Sequence, residues 1–240
     1  MDASNYAALS RQTQLLHEMQ VVANNLANSN STGFRQENLI FSEFLSGGDG
    51  DPNDTLSMTR AGSRTTSFHQ GALRQTGGTF DFAIEGEGFF SVETAQGPKL
   101  TRAGNFSANS FGELANADGR LVLDIGSAPI FVPPDAEKIS LGNDGTLSAD
   151  GRPIGQIGVF IPEDPSSLKR ESGTTFDYVG ELLPSPIAKI AQGFVENSNV
   201  NPIQQITRMI EIQRAYEFGQ SFLDAEDGRI RDALKSFIRR

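Results

Sequence analysis

The chain has 240 residues, no cysteine and a formal net charge of −10. The lack of cysteine excludes disulfides, zinc–thiolate sites and thiol nucleophiles, and the negative charge disfavours nucleic acid and anionic membrane surfaces as partners. No apolar run approaches the roughly 20 residues that a membrane span needs, so no membrane insertion is expected. The first 30 residues also lack an apolar signal core, which predicts that any export proceeds without a cleaved signal peptide.

Residues 1–34 are predicted to form an N-terminal helix. Apolar residues occupy the a and d positions of a heptad repeat, with one polar interruption at Gln12. Asn28 and Gly33 tolerate left-handed backbone geometry and are expected to end the helix. The stripe is thin, so this helix is marginally stable by itself. Its apolar members are Leu9, Leu16, Met19, Ala23 and Leu26.

The middle of the chain has the character of a β protein. Residues 35–70 are predicted to be an extended connector, and residues 71–195 a β-rich domain. Short alternations of apolar and polar residues recur in the second range, separated by glycine-containing turn dipeptides. These dipeptides are Asp118-Gly119, Asp144-Gly145 and Asp150-Gly151.

Residues 196–240 are predicted to form a long C-terminal helix. Asn201 followed by Pro202 is a start signal, because asparagine accepts hydrogen bonds from free backbone N–H groups and proline suits the first turn. A row of large residues seven apart follows, as in a coiled coil. Gly219 and Gly228 interrupt the helix and mark either a bend or a close approach to another helix. The row contains Met209, Tyr216, Leu223, Ile230 and Phe237, with Ile212 three residues after its first member.

The fold class expected from these patterns is α+β. Long N- and C-terminal helices are expected to pack as a coiled-coil-like pair, with a β-rich middle domain between them in sequence.

The search for catalytic or metal-binding patterns leaves none that carries chemistry. The two histidines, His17 and His69, are interpreted as surface or interface residues. Residues 49–60 imitate the first ligands of a calcium loop, but Arg60 stands where the bidentate glutamate is required. The Gly86-Glu87-Gly88 segment lacks the third glycine and the following helix of a dinucleotide site. We therefore expect no enzyme activity, no cofactor and no metal.

Three segments resemble the rod and hook proteins of the bacterial flagellum. They are ANNLANSNSTGF at 23–34, DFAIEGEGFFSVETAQGPKLTRAGNF at 81–106 and NSNVNPIQQITRMIEIQRAYE at 197–217. They occur in the family's order and together span nearly the whole chain. The resemblance implies a structural subunit of the flagellar basal-body rod.

The resemblance also implies how such a subunit is used. Members of the family are exported unfolded through the flagellar type III apparatus. Their terminal helices pack as the inner tube of the rod, the β domain lies outside, and the rod transmits torque across the periplasm. The implied partners are the export apparatus, neighbouring proximal and distal rod subunits and further copies of the chain, with no nucleic acid.

The assembly interface implied by the resemblance lies at the two ends of the chain. Asn24, Asn25 and Asn28 stand off the apolar row and are interpreted as hydrogen-bonding neighbouring subunits, with a frayed helix end as the alternative. The expected interface residues are Leu9, Leu16, Met19, Ala23, Asn24, Asn25, Leu26, Asn28, Gly33, Phe34, Asn199, Asn201, Pro202, Met209, Ile212, Tyr216, Leu223, Ile230 and Phe237.

Within the family, the chain length and the short segment between Phe34 and Arg60 favour a proximal-rod subunit. A distal-rod subunit or another rod or hook protein is the alternative. Two hypotheses from other classes are a periplasmic enzyme acting on peptidoglycan and a chaperone that holds exported subunits.

Overall fold

The computed structural model describes residues 3–47, 55–185 and 188–238 and divides into two compact units. The helical unit combines the two ends of the chain with a β-hairpin. The β unit is built from Asn28–Gln36 and Phe68–Val200. Each unit is assembled from segments that are far apart in sequence.

The helical unit contains two helices and one antiparallel pair of strands. Among the described residues, no helix is both long and apolar enough to cross a membrane. The hairpin runs from Glu37 opposite Thr66 to Gly47 opposite Thr55. The four elements are α1 (Ala3–Ala27), β1 (Glu37–Gly47), β2 (Thr55–Thr66) and α2 (Pro202–Ile238).

The start of α2 is set by its cap. The side-chain oxygen of Asn201 accepts hydrogen bonds from the backbone N–H groups of Ile203 (3.1 Å) and Gln204 (3.3 Å). Pro202, which has no N–H, occupies the first helical position at no cost. The predicted start signal is therefore confirmed.

The predicted coiled-coil-like packing of the helices is wrong. Leu9 and Leu16, two members of the predicted α1 row, are 53% and 44% exposed. The residues that α1 buries occupy other positions of the helix. They include Gln12, Gln14 and Val21, of which the first two are polar. The physical reason is that α1 contacts three elements, α2, β1 and β2, so it does not bury one row in a two-helix seam. The fold is α+β, with terminal helices flanking a strand-rich middle.

The β unit contains fifteen strands within its described residues, and one short 3-10 turn at Pro165–Ser167. The strands are β3 (Leu73–Gln75), β4 (Phe82–Glu85), β5 (Phe89–Thr94), β6 (Gly97–Thr101), β7 (Ser107–Ala108), β8 (Leu114–Ala115), β9 (Ile139–Leu141), β10 (Thr146–Ala149), β11 (Arg152–Gln156), β12 (Val159–Pro162), β13 (Lys169–Ser172), β14 (Thr175–Asp177), β15 (Leu182–Pro184), β16 (Lys189–Gln192) and β17 (Phe194–Glu196).

The largest sheet of the β unit has six antiparallel strands in the order β13-β14-β6-β5-β12-β15. A three-stranded sheet has the order β11-β10-β9, and β16-β4, β17-β3 and β7-β8 form pairs. The dipeptide Asp150-Gly151 makes the turn between β10 and β11, where Ala149 pairs with Arg152. This turn was predicted from the sequence and is confirmed.

Two apolar clusters fill the β unit. The smaller one is aromatic, since the rings of Phe89 and Phe176 lie 5.8 Å apart in an edge-on arrangement beside the buried Leu100. The larger one joins the main sheet to the shorter strands. Its fully buried members include Phe82, Phe90, Val92, Leu114, Val122 and Leu147.

An ion pair on the main sheet is expected to make the stability of the β unit depend on pH. The buried Lys99 ammonium lies 2.9 Å from the Asp177 carboxylate and 3.8 Å from Glu171. The hydrogen bond from Lys99 lowers the pKa of Asp177. A carboxyl whose pKa is lowered on folding stabilises the fold above its unfolded pKa, and this contribution is lost as the pH falls through the folded value.

We therefore expect Asp177→Asn to flatten the loss of stability below about pH 4. Urea unfolding measured between about pH 2.5 and pH 7 tests this. Asp118→Asn, at an exposed turn, is the control and should keep the wild-type slope. An unchanged slope in Asp177→Asn would contradict the assignment.

Candidate assembly surface

The two helices of the helical unit run antiparallel and are joined by polar contacts. The side-chain amide of Gln12 donates to the backbone oxygen of Tyr216 (3.0 Å). Further along α1, Glu18 accepts from the guanidinium of Arg208 (2.6 Å). Since α1 has 25 residues and α2 has 37, α2 extends beyond the beginning of α1.

Asn25 fastens α1 to the hairpin. Its side chain is 1% exposed, donates to the backbone oxygen of Glu37 (2.8 Å) and accepts from the backbone N–H of Glu37 (2.9 Å). The side-chain amide of Asn25 thus pairs with both backbone groups of Glu37, as a residue of a neighbouring strand would. Asn28 accepts from the hydroxyl of Ser31 (3.1 Å), whereas Asn24 is exposed.

The structure places the sequence-predicted interface residues in three environments. Asn25, Gly33, Phe34 and Ile212 are buried. The half-buried ones are Met19, Leu26, Asn28, Asn199, Met209, Tyr216 and Leu223. The exposed ones are Leu9, Leu16, Ala23, Asn24, Asn201, Pro202 and Ile230, and the side chain of Phe237 lies outside those described.

Four predicted interface residues belong to the β unit, and three of them, Gly33, Phe34 and Asn199, meet there. Asn199 accepts from the backbone N–H of Gln36 (2.6 Å) and donates to the backbone oxygen of His69 (2.8 Å). Its own N–H donates to the backbone oxygen of Phe34 (3.3 Å). Gly33 is anchored in the same way, since its N–H donates to the backbone oxygen of Glu196 (2.7 Å).

Beside these residues lies a buried ionic cluster that sequence reasoning missed. One oxygen of Glu196 is 2.8 Å from Arg35 and the other is 3.2 Å from Arg102, and Glu196 also accepts from the N–H of Gly71 (3.0 Å). Burial lowers the pKa of Arg102 to about 10, against the opposing effect of Glu196. In the sequence Glu196 is a single charged residue after the apolar Val195. Its partners Arg35 and Arg102 are 161 and 94 positions away.

The first turns of α2 carry an exposed apolar face, here called the isoleucine row. Ile203, Ile206 and Ile210 are 77%, 47% and 44% exposed. Their spacing of three and four residues puts them on one side of the helix. The buried Gln205 and Ile212 lie on another side, so the row is not part of the contact with α1.

A second apolar feature, here called the helix groove, lies between α1 and α2. It encloses about 320 Å³, and Phe218 on its edge is 76% exposed. At Gly219 an added Cβ would stand 2.4 Å from the side-chain nitrogen of Gln12, so this glycine permits a close approach of the helices. The lining residues are Ala7, Ala8, Arg11, Gln12, Leu15, Ala215, Phe218, Gly219 and Phe222.

Family models match three parts of the chain. The model described as flagella basal body rod protein matches residues 6–35. The flagellar hook protein FlgE/F/G D1 domain matches residues 83–149, and the flagellar basal body rod FlgEFG protein C-terminal matches residues 191–236. The first and last of these matches cover most of α1 and α2.

Curated relatives match over almost their full length. The chain is 36% identical over 228 residues to the flagellar basal-body rod protein FlgF of Caulobacter vibrioides, a match that covers 93% of both chains. It is 37% identical over 222 residues to FlgF of Mesorhizobium japonicum, with 90% of both covered. The chain belongs to the FlgF family of flagellar basal-body rod proteins. FlgG of Bacillus subtilis is 31% identical over 250 residues, with 93% of this chain and 95% of the relative covered.

The family membership confirms the resemblance found in the sequence. As a FlgF-family protein, the chain is a structural subunit of the flagellar basal-body rod and not an enzyme. Its location is the flagellar basal body.

Proposed function

We propose that this rod subunit polymerises through its helical unit, using the isoleucine row and the helix groove as contacts with neighbouring subunits. The observation that carries this proposal is the exposure of Ile203, Ile206 and Ile210 on one face of α2. The neighbours are further copies of the chain and other rod proteins. FlgF and FlgG relatives are both named as basal-body rod proteins, which supports rod subunits as the partner class.

The energetics favour burial of this surface in an assembly. Complete burial of an isoleucine side chain stabilises by about 1.5–3 kcal/mol. The contact between α1 and α2 does not supply this gain for the row, since the row lies on a different side of α2 from the buried Gln205 and Ile212. Neighbouring subunits that cover the row would add the missing apolar burial without any change in the helices.

The position of the subunit within the rod is proposed from its membership of the FlgF family. The proposed position is the proximal rod, with the distal rod as the alternative that the match to FlgG supports. There the polymer acts as part of the drive shaft that transmits torque across the periplasm. Delivery is through the flagellar type III export apparatus.

The test is a charge placed on the isoleucine row. Ile206→Asp should leave the monomer folded, because Ile206 is 47% exposed, yet it should remove motility and cut the protein in purified basal bodies about tenfold or more. A carboxylate buried at an interface without a partner is strongly unfavourable.

The matched control is Gln204→Asp, which puts the same charge two residues away on a different, exposed side of α2. It should keep motility and normal incorporation. Immunoblots of basal bodies and swimming in soft agar measure both variants. A motile Ile206→Asp strain with normal incorporation would mean that this row faces no neighbour.

A further inference from the structure

One asparagine side chain connects the segments on either side of the β-hairpin. The hairpin begins at Glu37, which lies opposite its last residue, Thr66. Gln36 precedes it in the chain and His69 follows it. The side-chain oxygen of Asn199 accepts from the N–H of Gln36 (2.6 Å), and its side-chain nitrogen donates to the backbone oxygen of His69 (2.8 Å). This pair of hydrogen bonds is here called the asparagine bridge.

The bridge is held in place by further groups of the β unit. The backbone N–H of Asn199 donates to the backbone oxygen of Phe34 (3.3 Å). Arg35, which is buried, donates to the same oxygen of His69 and contacts the Glu196 carboxylate (2.8 Å). All of these residues belong to the β unit. Folding of the β unit therefore fixes the distance between the two segments that flank the hairpin.

The bridge also lies directly before α2 in the chain. Asn199 precedes the cap residue Asn201 by two positions, and Val200 between them is buried. The chain passes from one unit to the other after residues 27, 36, 67 and 200. All of these passages except the first lie within two residues of Gln36, His69 or Asn199. One set of contacts therefore fixes the chain at both ends of the hairpin and at the start of α2.

The helical unit gains stability from such a fixed starting point. An isolated two-stranded hairpin is marginally stable at best in water, and bringing its ends together costs loop-closure entropy. The first turn is likewise the costliest part of a helix to form. A bridge that holds both ends of the hairpin, two residues before the cap of α2, lowers both of these costs.

We propose that Asn199 is a positioning residue through which the folded β unit keeps the hairpin and the first turns of α2 ordered. The helical unit then becomes fully ordered only on a chain whose β unit has folded. Under the proposed polymerisation, on which this consequence rests, only such a chain presents an ordered isoleucine row to its neighbours. The coupling itself is a property of the single chain.

Amide hydrogen exchange of the purified full chain, followed by mass spectrometry of its peptides, tests this coupling. Asn199→Ala removes both hydrogen bonds of the bridge, so exchange in β1, β2 and the first turns of α2 should become about tenfold faster or more. Exchange in β5 and β6 of the main sheet should keep the wild-type rate. The matched control is Asn197→Ala, whose side chain accepts from Arg74 (3.2 Å) within the β unit. It should leave the helical unit unchanged.

A disulfide that replaces the bridge distinguishes positioning from a general loss of packing. Asn38 and Thr65 are paired one position inside the ends of the hairpin, and residues paired across two strands lie within disulfide range. The chain contains no cysteine, so no native thiol competes. In the Asn199→Ala background, oxidised Asn38→Cys/Thr65→Cys should recover wild-type exchange in β1 and β2, and reduction should abolish the recovery.

Unchanged exchange in Asn199→Ala would overturn the proposal, and so would a formed disulfide that brings no recovery. Equal acceleration in β5, β6 and the helical unit would also overturn it, because Asn199 would then only stabilise the β unit. These measurements concern a single chain in solution. They leave the proposed polymerisation untouched, since Ile206→Asp tests that separately in basal bodies.

Discussion

Replacing Glu196 by glutamine will destabilise the β unit by about 3–5 kcal/mol, the usual cost of breaking a buried ion pair from one side. Glu196 and Arg35 are each 1% exposed and Arg102 is 4% exposed. The neutral amide keeps the size of the carboxylate but removes the only negative charge that contacts both arginines among the ion pairs of the described residues. Two like charges would then share a dry site, and their repulsion adds to the desolvation penalty.

The measurement is urea unfolding of the full chain followed by far-ultraviolet circular dichroism. Glu171→Gln is the matched control, since it makes the same chemical change at an exposed residue 3.8 Å from Lys99. Lys99 keeps its nearer partner, the Asp177 carboxylate at 2.9 Å, so this variant should unfold close to wild type. If both variants unfold alike, the ionic cluster contributes no more than a surface contact.

Local signals in the sequence predicted the elements that depend on neighbouring residues. The cap at Asn201 and the turn at Asp150-Gly151 each involve only groups a few positions apart. Capping and turn chemistry act over this range. The sequence predicted either a bend or a close helix approach at Gly219. The structure shows the close approach, at the side chain of Gln12.

The arrangement of the helices depends on which elements they contact, and a heptad pattern does not identify those elements. A row of residues seven apart predicts that a helix has an apolar face, but not which element covers it. Here α1 packs against α2 and the hairpin, and polar residues such as Asn25 fill the contact because they replace backbone bonds at Glu37. The apolar Leu9 and Leu16 remain exposed, so the heptad row of α1 is not buried against α2.

The ionic cluster lies beyond local reasoning for a different reason. Arg35 lies in the first segment of the β unit, and Arg102 and Glu196 lie 94 positions apart in the second. Charges in a sequence are ordinarily expected to face solvent. The pairing of β17 with β3 brings Glu196 beside the segment that contains Gly71. The ion pairs of Glu196 with Arg35 and Arg102 depend on the strand topology, and no residue spacing in the sequence predicts them.

Gly33→Ala will destabilise the β unit far more than the same change at another left-handed glycine. Gly33 has φ of +69° and Gly77 has φ of +72°, so an added methyl group costs the same backbone strain at both, about 1–2 kcal/mol. The surroundings differ. A Cβ at Gly33 would stand 2.2 Å from the backbone nitrogen of Ala103 and 2.3 Å from the carbonyl carbon of Arg102, whereas at Gly77 nothing lies within 4 Å.

The difference between the two variants therefore isolates packing from backbone strain. Backbone atoms of Arg102 and Ala103 cannot rotate away as a flexible side chain would, so relief requires a shift of the segment that carries the ionic cluster. Overpacking of this kind costs about 1–3 kcal/mol or more, which sets the expected total for Gly33→Ala at about 3–5 kcal/mol. Urea midpoints of the two variants, compared with wild type, measure it. Equal losses at Gly33 and Gly77 would show that the contact with Ala103 relaxes freely, and that this glycine is required for its backbone conformation alone.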